Sequence, residues 1–271
     1  MTSTNPHQEY ELLSSTRFDP FLLNIRWNDD KNGPSNFLLL RYHFDRLIAA
    51  VERHDWFQAK SVLASYNEFE SLCRNAVEVH RDKDNGPGAL KLRFTLSQSG
   101  KLTVTTSAVS PLSLDPSFAS SSDPLADDHL LSGPIFSIFL SSAPCPSSIF
   151  TFTKTTYRSH YDDARRRVNL PPVTQGAVTA EVLLYNEVGL ITEASIYNVA
   201  VYRGHQWLTP SSSTGCLPGV FRRWLLERGQ IHEDKEGHLT KDSIKEGEWV
   251  LLFNAVHGCQ LGRMVSGVYS E

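Results

Sequence analysis

The chain has 271 residues, 40% of them hydrophobic and 21% charged, with a formal net charge of −4 at pH 7. That length can bury a substantial core, as one large domain or two medium ones, in a globular soluble protein. The acidic balance argues against a nucleic-acid partner. No apolar run reaches the length of a bilayer span, and Met1–Glu9 lacks the basic start and apolar core of a secretory signal.

Taken in chain order, Glu11–Phe18 reads as a strand, Pro20–Arg26 as a second apolar segment, Asn32-Gly-Pro as a turn and Phe37–Leu40 as a buried run. From His43 the pattern is helical, with Phe44, Leu47, Ile48 and Val51 at three- and four-residue spacing. A second helix is expected from about Phe57 to His80, with Val62, Leu63, Tyr66, Phe69, Leu72, Cys73 and Val77 on one face. Asp84-Asn-Gly-Pro-Gly ends it. Leu90–Leu96 and Leu102–Thr106, joined around Gln98–Gly100, alternate as a hairpin. The Ser-, Pro- and Asp-rich stretch that follows reads as a partly mobile linker. The domains are therefore expected at 1–112, 113–133 (the linker) and 134–271.

The second half is expected to hold strands at Ile135–Leu140, Ser148–Thr155, Ala180–Asn186, Glu193–Tyr202, Trp207–Leu208 and Glu248–Phe253. Helices are expected at His160–Arg167, Gly219–Arg228 and Lys241–Glu246. This mixture predicts an α+β (mixed α/β) protein of two unequal halves, with the site in the cleft between them. Cys73, Cys145, Cys216 and Cys259 are widely spaced with no CxxC pair, which predicts free thiols in a reducing compartment, the cytoplasm. The ten histidines are scattered without HExxH, so no metal site is expected.

Two stretches carry most of the chemistry: Phe152-Thr-Lys-Thr-Thr-Tyr-Arg158 and Ile191-Thr-Glu-Ala-Ser-Ile-Tyr-Asn-Val199. Lys154, among hydroxyl and aromatic residues that favour a strand, is either a desolvated amine reactive toward an aldehyde or an exposed strand lysine. Glu193 is either a carboxylate for a pyridine nitrogen or a charge at a strand edge. Gly215-Cys-Leu-Pro-Gly219 runs into an amphipathic helix whose first amides suit an anion. Arg46 either binds a phosphate or pairs on the helix surface with Asp45 or Glu52. A lysine, a carboxylate and a helix start are the three groups that a pyridoxal 5'-phosphate site needs.

In order along the chain, His43-Phe-Asp-Arg-Leu, Thr153-Lys-Thr-Thr-Tyr-Arg158, Thr192-Glu-Ala-Ser-Ile-Tyr-Asn-Val and Leu217-Pro-Gly-Val resemble the motifs of the class IV pyridoxal-phosphate enzymes. Pro144-Cys-Pro-Ser-Ser-Ile-Phe-Thr-Phe-Thr-Lys-Thr-Thr-Tyr-Arg, Tyr161-Asp-Asp-Ala-Arg and Leu251-Leu-Phe-Asn-Ala-Val-His-Gly are similar to segments of the fungal 4-amino-4-deoxychorismate lyase branch. The resemblance implies a two-domain fold type IV enzyme with its cofactor at the domain interface, and a homodimer. It implies Lys154 as the Schiff-base lysine, Glu193 as the pyridine-nitrogen partner, with Asn198 bracing the loop, and Arg46 with the amides of Val220 and Phe221 as phosphate ligands. Asn254 and Ala255 join the cofactor contacts.

Three positions depart from the pattern. Phe221 stands where a hydroxyl residue is common, Ala200 where an aromatic is common, and His257 where an arginine is common. For the cofactor phenolate, Ser159 falls at the aminotransferase spacing and Tyr161 is nearby. Arg17 and Arg158 are the candidates for substrate carboxylates, with Tyr161 and His257 beside them. The implied activity is a lyase releasing pyruvate and 4-aminobenzoate for folate synthesis. The alternatives are an aminotransferase for branched-chain or D-amino acids, and a cofactor-free binding relative.

Overall fold

The computed structural model describes residues 9–31, 33–83, 88–125, 133–175 and 178–270. The turn at Asn32, most of the Asp84–Gly88 break, the leader reading at the N-terminus and part of the expected linker lie outside the described residues. The chain divides into two compact units, one of residues 1–111 with Thr153–Tyr157, the other of Leu112–Phe152 and 158–271.

The first unit holds β1 (Leu12–Phe18), the short pair β2 (Asp29–Asp30) and β3 (Gly33–Pro34), α1 (Leu40–Arg53), α2 (Phe57–Lys60), α3 (Tyr66–Arg81), β4 (Leu90–Leu96) and β5 (Leu102–Ala108). Strands β1, β4 and β5 form an antiparallel sheet in that order. Alternation along β4 sends Leu90, Leu92, Phe94 and Leu96 into a core shared with Phe44, Leu47 and Val51 of α1 and Phe69, Cys73 and Val77 of α3. On β1 the same alternation puts Ser14 and Thr16 between Leu12 and Phe18, fully buried. The hydroxyl of Thr16 is satisfied by donating to Leu38 O at 2.7 Å.

The helix expected over Phe57–His80 is broken. Ser65 caps a new start by accepting from Glu68 N at 3.3 Å. Leu72, expected on the buried face, is 43% exposed. The Pro20–Arg26 segment is a 3₁₀ turn over Pro20–Asn24, started by Asp19, whose carboxylate accepts from Phe21 N.

The second unit contains β6 (Phe136–Leu140), α4 (Ile149–Phe152), α5 (Ser159–Arg167), β7 (Ala180–Tyr185), β8 (Ile191–Ala194), β9 (Asn198–Arg203), β10 (Gln206–Pro210), α6 (Val220–Glu227), β11 (His232–Asp234), β12 (Trp249–Asn254) and β13 (Gly258–Val265). Eight strands form one mixed sheet in the order β11-β10-β9-β12-β13-β6-β7-β8. The β13–β6, β6–β7 and β10–β11 pairs are parallel and the rest antiparallel. Both faces of its middle are covered. Ile138, Leu183, Val199, Val201 and Leu252 share one core, whereas Phe139, Val182 and Leu184 join Tyr161, Ala164 and Val168 of α5 in another.

Two expectations fail here for local reasons. Lys241–Glu246 is not a helix, because Thr240 and Ser243 exchange side-chain-to-backbone bonds at 3.0 and 3.1 Å and close a turn. The single strand expected over Glu193–Tyr202 is two, folded back at Ser195–Tyr197 where Ala194 N donates to Tyr197 O at 2.8 Å. The described part of the Ser- and Pro-rich segment belongs to the second unit. Pro116 O accepts from Cys259 N at 2.7 Å and Ser120 Oγ donates to Gln230 Oε1 at 2.9 Å.

Gly258, which opens β13, has φ +69°, and a Cβ there would stand 2.5 Å from Pro116 O. Gly258→Ala should therefore lower stability by roughly 1–3 kcal/mol, read as a drop in the urea midpoint. An unchanged midpoint would show that the Pro116 backbone gives way at no cost.

Candidate active site

In the first unit, Lys154 is half-buried on a segment laid along β1. Leu13 N donates to its carbonyl at 2.8 Å, Thr156 N donates to Glu11 O at 2.9 Å, and Leu12 and Thr155 form an antiparallel bridge. The strand expected over Ser148–Thr155 is absent. Phe150 N donates to Ser148 Oγ at 3.2 Å and Thr151 Oγ1 to Ser148 O at 2.9 Å. These local bonds turn Ile149–Phe152 into α4 against the β preference of its residues.

Helix α1 places His43 and Arg46 three residues apart on one face. Arg46 Nη2 donates to Ser14 Oγ at 2.5 Å, and that oxygen lies 2.7 Å from His43 Nδ1. The surface partners open to Arg46 are engaged elsewhere, Asp45 with Arg41 at 3.1 Å and Glu52 with Lys60 at 2.9 Å. Among the described residues Arg46 has no carboxylate partner, and its Nε is buried without a hydrogen bond, as is His43 Nε2. Burial, with the charges of Arg46 and Lys154 adding to it, pushes His43 well below the usual histidine range, so it is neutral. Burial brings Arg46 down to about 10, which leaves it a cation at neutral pH. This is a positive cluster of Lys154 and Arg46 around a neutral imidazole, the arrangement that an anionic group completes.

In the second unit, Glu193 is 3% exposed on β8, the last strand of the sheet, so it is not a charge on an exposed face. Tyr161 of α5 donates its hydroxyl to Glu193 Oε1 at 2.8 Å. Burial first, and then the Glu193 charge, raise the phenol well above its ordinary range, so it remains a donor. Arg158 stacks its guanidinium 5.0 Å from the Tyr161 ring centre and donates to Ser195 O at 2.9 Å. Ser159, the other phenolate candidate, is exposed at the first turn of α5.

The turn after Glu193 is clamped from several elements. Glu181 Oε2 of β7 accepts from Ser195 N at 2.9 Å, and Ser195 Oγ bonds the same carboxylate. Arg165 Nη1 donates at 2.8 Å both to Glu181 and to Ser195 Oγ. Asn254 Nδ2 holds Ile196 O at 3.2 Å, while its Oδ1 accepts from Val256 N and His257 N, shaping the β12–β13 hairpin around buried Ala255.

The candidate phosphate turn is braced by Asn198, whose Nδ2 donates to Leu217 O at 2.8 Å. A Cβ on Gly219 would stand 1.8 Å from Asn198 Oδ1, so only glycine lets the turn pass. No side chain caps the start of α6 at Val220. Phe221 packs its ring in the core, stacked at 5.6 Å on Trp224, so this position offers only its backbone to a ligand.

Arg17 is the candidate that the structure turns away. It pairs with Asp19 at 3.0 Å, both buried, and donates to Ser110 O, so its fork is occupied by its own chain. His257 is exposed beside Tyr197. The sequence reading missed Ser14, Glu181, Arg165 and Ser195 as site-shaping residues. Arg165 and Ser195 stood inside the motifs quoted for Tyr161 and Glu193. Glu181 had only the signal of one charge in an apolar strand.

Removing one partner from the buried Arg165–Glu181 pair leaves an uncompensated charge, so Glu181→Gln should cost about 3–5 kcal/mol in urea unfolding. A loss near zero would show the clamp to be dispensable. His160, pushed down to about 4 mainly by burial and then by Arg158, stays neutral in the fold but titrates near 6.5 when unfolded. The unfolded chain therefore takes up the extra proton first. The stability held above pH 6.5 should be lost as the pH falls toward 4, and His160→Gln should flatten part of that decline in urea midpoints.

Comparison with known proteins identifies the family. Residues 25–263 match the model of the family "Amino-transferase class IV". The chain is 49% identical over 102 residues to a "Putative aminodeoxychorismate lyase" of Schizosaccharomyces pombe, covering 38% of this chain and 42% of that one. It is 39% identical over 137 residues to the aminodeoxychorismate lyase of Saccharomyces cerevisiae, covering 46% and 36% respectively. The matches thus span less than half the length of these curated relatives. Among solved structures, a "Putative 4-amino-4-deoxychorismate lyase" from Legionella pneumophila superposes with a TM-score of 0.62 at 15% identity, over 100% of this chain and 90% of that one, which shows a shared fold. With its mixed sheet, its helices and a match over most of its length, the chain belongs to the class IV amino-transferase family and has the fold type IV architecture.

Proposed function

We propose that the protein is a pyridoxal-phosphate-dependent 4-amino-4-deoxychorismate lyase, working as a homodimer in the cytoplasm. Among the described residues no helix is long and apolar enough to cross a membrane. The observation that carries the cofactor reading is the buried Arg46, without a carboxylate among the described residues, grouped with Lys154 around neutral His43. The lyase reading is supported by the identity to the two fungal proteins that bear that name.

The residues fit the group. Lys154 Nζ would hold the cofactor covalently, Glu193 the ring nitrogen, and Arg46 the phosphate, with the amides of Val220 and Phe221 and the Asn198-braced turn. Bound there, pyridoxal phosphate supplies an electron sink for the substrate amine. Displaced from the cofactor by the substrate amine, Lys154 Nζ would be free to take the proton from the amine-bearing ring carbon as general base. The leaving enolpyruvyl oxygen would carry away the electron pair, its methylene carbon would take up a proton matching the one removed by Lys154 to give pyruvate, and the ring would be left aromatic. Aromatisation supplies the driving force, so the protein's task is to position the base and keep the ring nitrogen charged. Arg158, already oriented by Ser195 O and Tyr161, is the cation proposed for a substrate carboxylate.

Incubated with 4-amino-4-deoxychorismate, the purified protein should release equal amounts of 4-aminobenzoate and pyruvate with no keto acid added. Lys154→Ala should lower that rate by about 100-fold or more. A requirement for 2-oxoglutarate, with glutamate appearing, would instead identify an aminotransferase. A protein with no absorbance band sensitive to borohydride or to Lys154→Ala would be a cofactor-free relative.

A further inference from the structure

Glu193 sits in a setting built to hold one carboxylate still. The clamp of Glu181, Arg165 and Asn254 fixes the backbone after it, and the Tyr161 hydroxyl donates to its Oε1 at 2.8 Å. Tyr161 is itself locked, with 7% of its surface exposed, the Arg158 guanidinium on its ring and the His160 ring centre 3.9 Å away. A phenol donating to a carboxylate stabilises the charged form and makes it a weaker base. We propose that Tyr161 is a positioning residue that acts through Glu193, its hydroxyl setting how strongly the carboxylate pulls on the proton of the cofactor's ring nitrogen. This rests on the reading of Glu193 as the ring-nitrogen partner.

The direction of the effect follows from the hydrogen bond. Without the hydroxyl, Glu193 becomes the stronger base and draws the shared proton toward itself. The ring nitrogen then carries less positive charge, and the electron sink weakens. The link between Lys154 and the cofactor sheds its own proton less readily, so its pH-dependent absorbance change moves to higher pH. The other titratable groups around the pair do not blur this signal. Burial raises the Cys145 thiol to about 12 and that of Cys216 to about 11, and His160 is down at about 4. None changes charge between about pH 5 and 10, and the Arg165–Glu181 pair beyond them is closed on itself and on Ser195.

The test is a pH titration of the cofactor absorbance in the holoenzyme, with wild type compared against Tyr161→Phe and against a protein carrying 3-fluorotyrosine at 161. The fluorinated phenol is the stronger donor. The proposal expects a midpoint about half a pH unit or more higher in Tyr161→Phe and displaced the opposite way by the fluorinated residue. A purely structural role would lower thermal stability without ordering the midpoints by donor strength. Coincident midpoints in wild type and the fluorinated protein overturn the proposal even if Tyr161→Phe fails to fold. A wild-type protein with no lysine-dependent band overturns the ring-nitrogen reading itself, and this proposal with it. A band with unordered midpoints overturns only the role given to Tyr161.

Discussion

A charge taken out of water must find compensation inside the protein, and the second unit is organised around how this is done for two carboxylates. Glu181 closes on Arg165 and on both polar groups that Ser195 offers it. That closed pair holds the backbone turn just beyond Glu193. Glu193 accepts the Tyr161 phenol at its Oε1. Neutral donation leaves the carboxylate its charge, whereas a guanidinium there would neutralise it. The same fold thus keeps one acid for architecture and, in the function proposed here, one for chemistry.

The first unit handles its cation in the reverse manner. Arg46 is enclosed and, among the described residues, bonds the Ser14 hydroxyl and no carboxylate, while the carboxylates nearest in sequence are paired on the surface. Keeping His43 neutral avoids stacking a third positive charge beside Arg46 and Lys154. Such an arrangement is costly unless an anion completes it, which is the physical content of the cofactor assignment.

Much of this was legible in the sequence because motif and element coincide. The i, i+3 spacing of His43 and Arg46 requires a helix to mean anything, and the periodicity supplied that helix. Gly219 followed by an amphipathic run announced a loop entering α6. The illegible parts share a cause, which is that short-range hydroxyl bonds outweigh intrinsic preference. Ser148 converts a β-rich stretch to a helical turn, Ser65 restarts a helix, and Thr240 with Ser243 removes one. Glu181 and Ser14 were invisible for another reason. Their importance lies in partners far along the chain, which no local pattern encodes, and Arg17 looked available only because Asp19 and Ser110 cannot be seen meeting it.

The segment that carries Lys154 is flanked in sequence on both sides by the second unit, yet its backbone lies along β1. Glu11 N and Thr156 Oγ1 meet from 145 residues apart. A ribosome releasing this chain would therefore present the first half of β1 with one open margin until more than half of the polypeptide had emerged, a long loop to close before Lys154 is seated. An N-terminal fragment ending at residue 111 would lack that strap altogether, leaving the half of the β1 edge that the Phe18–Phe37 bridge does not cover open to pairing with another chain.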